Sequence, residues 1–171
     1  MAKFTSVKID DSMVNDYLFY RNLYINRKFA TNKKKIIKID HYQWWFENQK
    51  KRYSFLIFKD KDPIFISSSD HFKYKKFNLI YSGLISCIED TNLFDILKSI
   101  KIQNEYLDKQ VGKFCFISIN NKNKVLMSHW KYFRYKPLLK KNIFYEYVKN
   151  FLNISNNSSI FYKEIKKLAM S

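Results

Sequence analysis

Glycine, proline and cysteine are scarce in this chain of 171 residues, which has two of each. No Gly-, Pro- or Ser-rich linker and no internal repeat interrupts it, so we predict a single domain over residues 1–171, with residues 143–171 as a C-terminal aromatic and basic extension. Cys87 and Cys115 have no metal-ligand spacing, and we interpret them as small buried hydrophobic residues. The three histidines form no compact cluster, so no metal site is predicted.

Apolar runs long enough to cross a membrane are also missing. None approaches the roughly 20 residues that a membrane helix needs, and the first residues, MAKFTSVKIDD, contain no apolar signal core. We therefore expect a cytoplasmic protein without a membrane partner. The composition, 46% hydrophobic and 19% aromatic, excludes a largely disordered chain.

The formal net charge is strongly positive, +17 at pH 7. Basic chains attract phosphates, whether on nucleic acid or on a cofactor. Here the excess is spread over short lysine runs, in a chain rich in Lys, Asn, Ile, Phe and Tyr, which is the profile that an AT-rich genome produces without selection for binding. The charge leaves a nucleic-acid partner open, but the dominance of lysine over arginine argues against bidentate recognition of bases or phosphates.

Hydrophobic periodicity predicts a mixed α/β domain in the order β-α-α-β-β-β-α-β-α, followed by an aromatic segment written as a strand and by a last helix. Antiparallel hairpins come first and a strand–helix–strand crossover follows, which indicates a mixed central sheet with helices on both faces. The predicted helices cover residues 12–29, 38–51 with Asp40 as cap, 91–107 with Thr91 or Asn92 as cap, a segment starting at 121–123, and 160–169.

Four segments of the sequence match short motifs that occur in the same order in one enzyme superfamily. FYRNLYINRKF at 19–29 resembles a "WRN…R" opening, and KIDHYQWWFEN at 38–48 resembles an "S.EEH..WF" helix. YSFLIFKDKDPIFIS at 53–67 is similar to a hairpin that ends in "G.PIG", and ISINNKNKVLMSHWKYFRYKPL at 117–138 is similar to "V...N..AI.LYEKLGF". Together they resemble the GCN5-related N-acetyltransferases (the GNAT superfamily), especially their bacterial amino-sugar (pseudaminic-acid pathway) and ribosomal-protein members, and the resemblance covers about residues 5–140.

This resemblance implies an N-acetyltransferase that uses acetyl-CoA, in which the amine attacks the thioester directly. The family's pyrophosphate loop, R/Q-x-x-G-x-G/A, is replaced by CIEDTNLFDIL, which has no glycine and carries Glu89 and Asp90. The family's tyrosine, which often protonates the departing CoA thiolate, falls on Trp130. An indole does not titrate usefully, so this replacement removes a proton donor.

The resemblance and the strand ends together suggest three sets of site residues. The catalytic candidates are Glu89, His129 and Tyr132. The cofactor-binding candidates are Thr91, Asn92, Leu93, Asn123 and Trp130. The substrate-binding candidates are Arg21, Asn22, His41, Trp44, Tyr81 and Ser82, with Arg27 and Trp45 beside them. Structural readings stay open for most of these residues: helix capping for Asn123, core packing for Trp130 and His41, and an exposed strand-end acid for Glu89.

Three functions follow from this reading. The first is an acetyl-CoA-dependent N-acetyltransferase for a small amine, such as a nucleotide-linked amino sugar. The second is a catalytically inactive protein of the same fold that acts in binding or assembly, which the missing glycines favour. The third is a basic nucleic-acid-binding protein. The aromatic tail from Ile143 to Phe161 is an interface in a homo-oligomer or a lid.

Overall fold

A central sheet runs through residues 2–28, 30 and 33–166, the part of the chain described in this computed structural model, and has seven strands there. The strands are β1 (Phe4–Lys8), β2 (Arg52–Lys59), β3 (Asp62–Tyr74), β4 (Phe77–Ser86), β5 (Phe114–Asn120), β6 (Lys136–Pro137) and β7 (Ser158–Glu164). Their order across the sheet is β1-β2-β3-β4-β5-β7-β6.

Strand pairing follows the predicted plan of hairpins and then a crossover. β1 pairs antiparallel with β2, and β2 with β3 across a tight turn at Asp60 and Lys61, where Asp60 has a φ of 57°. β5 lies parallel to β4, and β7 pairs antiparallel with both β5 and β6. The prediction of a mixed α/β fold with antiparallel hairpins and a β-α-β crossover is confirmed.

Six α-helices accompany these strands in the described residues. They are α1 (Val14–Arg21), α2 (Tyr24–Lys28), α3 (Lys38–Asn48), α4 (Leu93–Leu107), α5 (Lys124–His129) and α6 (Tyr145–Phe151), with 3-10 turns at Asp11–Met13 and Trp130–Phe133. In this described part of the chain, no helix combines the length and the apolar character that crossing a membrane requires.

Packing divides the described chain into two compact units. The first unit holds the described residues up to Asp70 together with Gly83–Gln103. On one side of its strands, Tyr17 of α1 and Trp45 of α3 pack in a buried cluster with Leu56, Ile66 and Ile85. On the other side, residues of α4 contact a second cluster, built on Ile57, Ile64 and Phe65. The strands β2 and β3 therefore carry buried residues on both faces, whereas β1 is largely exposed.

The second unit holds His71–Ser82 and the described residues from Asn104 onwards. One cluster joins α6 to the sheet through Phe144, Val148 and Phe116. A second cluster joins α5 and the 3-10 turn that follows it to the opposite strand faces, with Cys115 and Phe161 fully or nearly buried. The alternation of side chains along β5 separates the two clusters.

The C-terminal third departs from the sequence prediction at two elements. The aromatic segment written as a strand is the helix α6, because Phe144, Val148 and Leu152 recur every four residues and all join one cluster. The last predicted helix, 160–169, is wrong where the structure describes it: Ser158–Glu164 is the strand β7, paired along its whole length with β5. The positions 167–169 lie outside the described residues.

Helix starts and breaks near the N-terminus also differ from the prediction. The helix predicted over 12–29 is divided into a 3-10 turn, α1 and α2. Asn22 lies between α1 and α2, and its side chain makes two hydrogen bonds to the backbone of Ile36. Asp40 is not the cap of α3, since Ile37 occupies that position and Asp40 lies in the first turn. Asn92 and Asn123 do cap α4 and α5, accepting hydrogen bonds from the backbone N–H groups of residues three positions later.

Candidate active site

A pair of hydroxyl groups lies where the parallel pairing of β4 and β5 ends. The pairing joins Leu79–Tyr81 to Phe114–Phe116, and each strand continues beyond it, β4 to Ser86 and β5 to Asn120. Tyr81 belongs to the last pair, with Phe116, and its Oη lies 2.6 Å from Oγ of Ser118, two residues farther along β5; both residues are half-buried. The period-two alternation of strand residues places Ser118 on the same face as Phe116. A linked, half-exposed hydroxyl pair can accept a proton at one oxygen and pass one on from the other.

Ser82, the next residue on β4, points to the opposite face and is almost fully buried. Its hydroxyl bonds the thiol of Cys115, which also lies 3.3 Å from the Tyr135 hydroxyl. Burial raises the pKa of the Cys115 thiol to about 11, and the bonds from Tyr135 and Ser82 only partly oppose this rise. Ser82 therefore has a neutral thiol as its partner inside the core.

Glu89, the candidate general base, lies in the first unit and is exposed. Its two carboxylate oxygens accept hydrogen bonds from the backbone N–H groups of Tyr24 and Ile25, both at 3.1 Å. An acid at this position neutralises the unpaired N–H groups that begin α2. The charge of Glu89 is therefore directed at α2.

The first turn of α4 is the candidate phosphate site, and its acid content is partly neutralised. Asn92 caps the turn through the Asp95 N–H, and its amide donates to the Asp95 carboxylate at 2.8 Å. Asp95 is buried, and Lys59 Nζ lies 3.1 Å from it. In the described chain, the N–H groups of Leu93 and Phe94 have no hydrogen-bond partner, so they remain open to an acceptor. Thr91 lies just before this turn, and the turn contains no glycine. The turn therefore fits one phosphate group at two N–H groups and does not fit a pyrophosphate wrapped by a glycine loop.

Asn123, His129, Trp130 and Tyr132 all belong to the second unit. His129 Nδ1 lies 2.6 Å from the carbonyl of Val125, so the ring is fixed against its own helix. Tyr132 is 78% exposed, and its ring centroid is 5.8 Å from that of His129. Trp130 stacks on Phe161, with 4.7 Å between ring centroids. Trp130 is a packing residue, and Asn123 is a helix cap.

Similarity in structure decides the fold. No protein-family model and no curated protein matches the sequence. A protein of Acinetobacter baylyi that is provisionally described as an acetyltransferase matches 100% of this chain and 97% of its own, with a TM-score of 0.71 and 10% identity. Salmonella typhimurium yncA, provisionally described as an acetyltransferase and solved with its cofactor acetyl-CoA, matches 98% of this chain and 96% of its own, with a TM-score of 0.64 and 7% identity. FdhC, a nucleotide-linked sugar GNAT, matches 95% of this chain and 88% of its own, with a TM-score of 0.64 and 15% identity. The chain has the GNAT fold.

Several substrate-binding candidates in the first half of the chain make hydrogen bonds to backbone groups. Asn22 makes two hydrogen bonds to the backbone of Ile36, and Arg27 donates to the carbonyls of Asn22 and Lys33. These contacts fix the backbone of Lys33 and Ile36 ahead of α3. Arg21, at the end of α1, is half-buried.

His41 and Trp44 form part of an aromatic group on α3. His41 is buried, its Nε2 lies 3.1 Å from the Val14 carbonyl, and its ring centroid is 5.4 Å from that of Trp44. Burial lowers the pKa of His41 despite this hydrogen bond, and the charges of Arg52 and Arg21 lower it further. A neutral, buried imidazole links α3 to α1.

The structure brings Tyr81 together with a residue that the sequence reading missed, Ser118. The signal for it was faint: Ser118 stands two residues after Phe116 in a predicted buried strand, so the alternation predicts that both face the same side. Nothing local reveals which residue of β4 it meets. Across residues 2–28, 30 and 33–166, no group of three His, Cys, Asp or Glu side chains is placed to hold a metal ion.

Proposed function

We propose that this protein is an N-acetyltransferase that uses acetyl-CoA and acts on a small amine, with a nucleotide-linked amino sugar as the acceptor class. The observation that carries the proposal is the Tyr81–Ser118 hydroxyl pair at the end of the β4–β5 pairing, 2.6 Å apart, in a chain with the GNAT fold. The match to yncA, which was solved with acetyl-CoA, supports the cofactor.

Acetyl-CoA supplies an activated acyl group when it is bound, so the protein has to position the amine and remove its proton. In this proposal Tyr81 Oη accepts a hydrogen bond from the attacking amine while it donates its own proton to Ser118 Oγ. Ser118 orients the Tyr81 hydroxyl and relays the amine proton to solvent, and solvent returns a proton to the departing CoA thiolate, so the proton balance closes. Glu89 is not needed for this path, because its carboxylate is directed at α2.

Cofactor binding is assigned to the first turn of α4. The N–H groups of Leu93 and Phe94 would hold a phosphate group of the cofactor, and Asn92 shapes the turn by capping it. Lys59 offsets the buried Asp95, so the opposing charge that the sequence predicts is smaller than the count of acids suggests. Without a glycine loop, we expect acetyl-CoA to bind more weakly than in relatives that carry one.

The acceptor class rests on similarity to FdhC, a nucleotide-linked sugar GNAT, at 15% identity. A sugar nucleotide also suits a basic protein, because its diphosphate carries negative charge. Peptide N-termini are the alternative acceptors to compare.

The test is release of the CoA thiol from acetyl-CoA, measured with UDP-linked amino sugars and with alanine-starting peptides. We expect turnover with the amino sugar, and we expect Tyr81→Phe to lower kcat by about 100-fold, the usual contribution of a proton-transfer group. Ser118→Ala should lower kcat by less, since water can replace a hydroxyl relay.

The matched control is Tyr162→Phe. Tyr162 lies on β7 in the same buried cluster as Tyr81, and its hydroxyl has no hydrogen-bond partner among the described residues. Its variant should keep wild-type turnover. If acetyl-CoA at millimolar concentration gives neither turnover nor a rise in melting temperature, the protein is an inactive member of the fold that acts by binding.

A further inference from the structure

An open cavity of about 450 Å³ lies within the first unit, and neither Tyr81 nor Ser118 is among its lining residues. The end of β1, the 3-10 turn at Asp11–Met13, the end of α3 and the start of β2 form its walls. Its volume is within the usual range of small-molecule sites, roughly 300 to 1,000 Å³. The residues that matter for its chemistry are Asp10, Asp11, Trp45, Asn48, Arg52 and Ser54.

Ser54 gives the first indication of a polar ligand. The residue is 6% exposed, its Oγ has no hydrogen-bond partner among the described residues, and it lines the cavity. Alternation along β2 places it on the same face as Arg52 and Leu56, towards α3. A buried hydroxyl is unfavourable unless it is hydrogen-bonded. A ligand in the cavity can supply the missing hydrogen-bond partner of the Ser54 hydroxyl.

The basic residues around the cavity already have partners. Arg52 makes two hydrogen bonds to Asp70, at 2.6 and 2.7 Å, and one to the Tyr17 hydroxyl at 2.6 Å, and its guanidinium lies 4.1 Å from the Trp44 ring. Lys8 Nζ lies 5.0 Å above the ring of Tyr53, a residue on the face of β2 opposite to Ser54. The carboxylate of Asp70 therefore offsets the charge of Arg52, and the Lys8 ammonium is directed at the Tyr53 ring, on the side of β2 opposite to Ser54.

The acidic groups remain, in a protein whose net charge is +17. Asp11 Oδ1 accepts hydrogen bonds from Trp45 Nε1, at 2.9 Å, and from the Gln49 amide, which fixes the carboxylate at the cavity wall. Asp10 stands beside it. The carboxyl end of α3, at Asn48 and Gln49, adds the negative end of a helix dipole. All three favour a cation.

We propose that this cavity binds a small ammonium-bearing, hydroxylated molecule of the amino-sugar class. Asp11 and the end of α3 face the ammonium group, and Ser54 Oγ bonds a hydroxyl of the ligand. The indole of Trp45 provides an apolar wall for the sugar ring. Trp44, a substrate-binding candidate from the sequence, also lines the cavity, but none of the residues assigned to proton transfer or to cofactor binding does.

The test is calorimetric titration of the whole protein with glucosamine, without acetyl-CoA. N-acetylglucosamine and glucose are the neutral comparisons, because they keep the hydroxyl groups and lack the charge. We expect glucosamine to bind at least about tenfold more tightly than either, the effect of one ion pair in a partly desolvated site. Equal affinity for the three sugars, or no binding at a glucosamine concentration of about 10 mM, overturns the proposal.

Two variants locate the binding. Asp11→Asn keeps an oxygen that can accept from Trp45 and Gln49 but removes the charge, and Ser54→Ala removes the hydroxyl; each should weaken glucosamine binding by about fivefold to tenfold. Because Ser54 loses no partner inside the protein, Ser54→Ala should leave the melting temperature unchanged or higher. Binding unaffected by both variants lies elsewhere on the protein and overturns the assignment.

Matched controls exist for both variants. Ser99 is another fully buried serine whose Oγ lacks a partner in the described chain, and it does not line the cavity, so Ser99→Ala should bind glucosamine as the wild type does. Asp62 is an exposed acid at the start of β3, and Asp62→Asn controls for the loss of one charge in the same unit.

Discussion

The two units shield their basic side chains from water in different ways. In the first unit, Arg52 forms a two-pronged pair with a single carboxylate, Asp70, at 2.6 and 2.7 Å. In the second unit, Lys163 is 6% exposed and donates to the neutral amide oxygen of Asn104 and, at 3.2 Å, to Asp108. A planar guanidinium suits a single bidentate acid, whereas an ammonium can divide its hydrogen bonds among several acceptors.

This difference shows how much each unit depends on one acid. Burial works against the charge of Arg52, but Tyr17 and Asp70 outweigh it and raise the pKa of Arg52 above its ordinary value. Asp108, by contrast, is shared, because Arg134 donates to its other oxygen at 2.6 Å. Loss of the single acid should therefore cost the first unit more than loss of the shared acid costs the second.

The largest effect is expected for Asp70→Asn. The Arg52 side chain is 17% exposed, and this change leaves its charge without a carboxylate partner. We therefore expect the free energy of unfolding to fall by about 3 kcal/mol. Urea denaturation measures this fall. The control is Asp62→Asn, an exposed acid whose loss should change stability by less than about 0.5 kcal/mol. A fall below about 1 kcal/mol for Asp70→Asn would show that Tyr17 and Trp44 suffice for Arg52.

A smaller effect is expected for Asp108→Asn, the same change in the second unit. Lys163 keeps the Asn104 oxygen and the Tyr135 ring, which is 5.2 Å from its Nζ, so the free energy of unfolding should fall by about 1 kcal/mol. The double variant Asn104→Ala with Asp108→Asn should lose more than the sum of the two single losses, because Lys163 then has neither a carboxylate nor the Asn104 oxygen. Simple additivity in urea denaturation would contradict the shared arrangement.

Much of this fold is predictable from local sequence because its first two thirds follow clear periods. The helices α3 and α4 bury regular stripes, and the β2–β3 hairpin has apolar strands on both sides of a short polar turn. The C-terminal elements mislead because IFYKE is short and apolar enough for either state, and only pairing with β5 makes it a strand. Register across the sheet is set by residues far apart in sequence.

The candidate site is less predictable than the fold for the same reason. Tyr81 could be selected on its own strand, but its partner Ser118 lies 37 residues later, and their contact depends on the parallel register of β4 and β5. Glu89 shows the same limit. It can be selected from the sequence as a strand-end acid, but the two N–H groups that it accepts from lie 65 and 64 residues earlier in the chain, and no local pattern predicts them.

The next effect depends on pH and concerns His41 in the first unit. Its pKa is lowered in the folded protein, first by burial and then by the charges of Arg52 and Arg21. The neutral ring is therefore favoured on folding, and this stabilisation is complete above the unfolded pKa of about 6.5 and is lost as the pH falls below it. We expect the free energy of unfolding to drop by about 1 kcal/mol between pH 7.5 and pH 5.5.

The variant His41→Gln checks this assignment. Glutamine can still donate to the Val14 carbonyl but does not titrate, so the variant should lose most of the pH dependence over that range. If wild type and variant lose stability in parallel as the pH falls, other groups cause the dependence.

The smallest effect is expected for Arg134→Gln, which breaks the outer half of the Asp108 arrangement. Arg134 donates to Asp108 at 2.6 Å, shorter than many buried pairs, yet its side chain is 58% exposed. Water screens such a pair and its flexible side chain loses entropy when it is held, so the free energy of unfolding should fall by no more than about 0.5 kcal/mol. Any difference should vanish in 1 M salt, where charges are screened within about 3 Å. The distance is the same as in the Arg52–Asp70 pair, so a small loss here beside a large loss for Asp70→Asn would show that exclusion of water, and not the length of the contact, makes a carboxylate necessary.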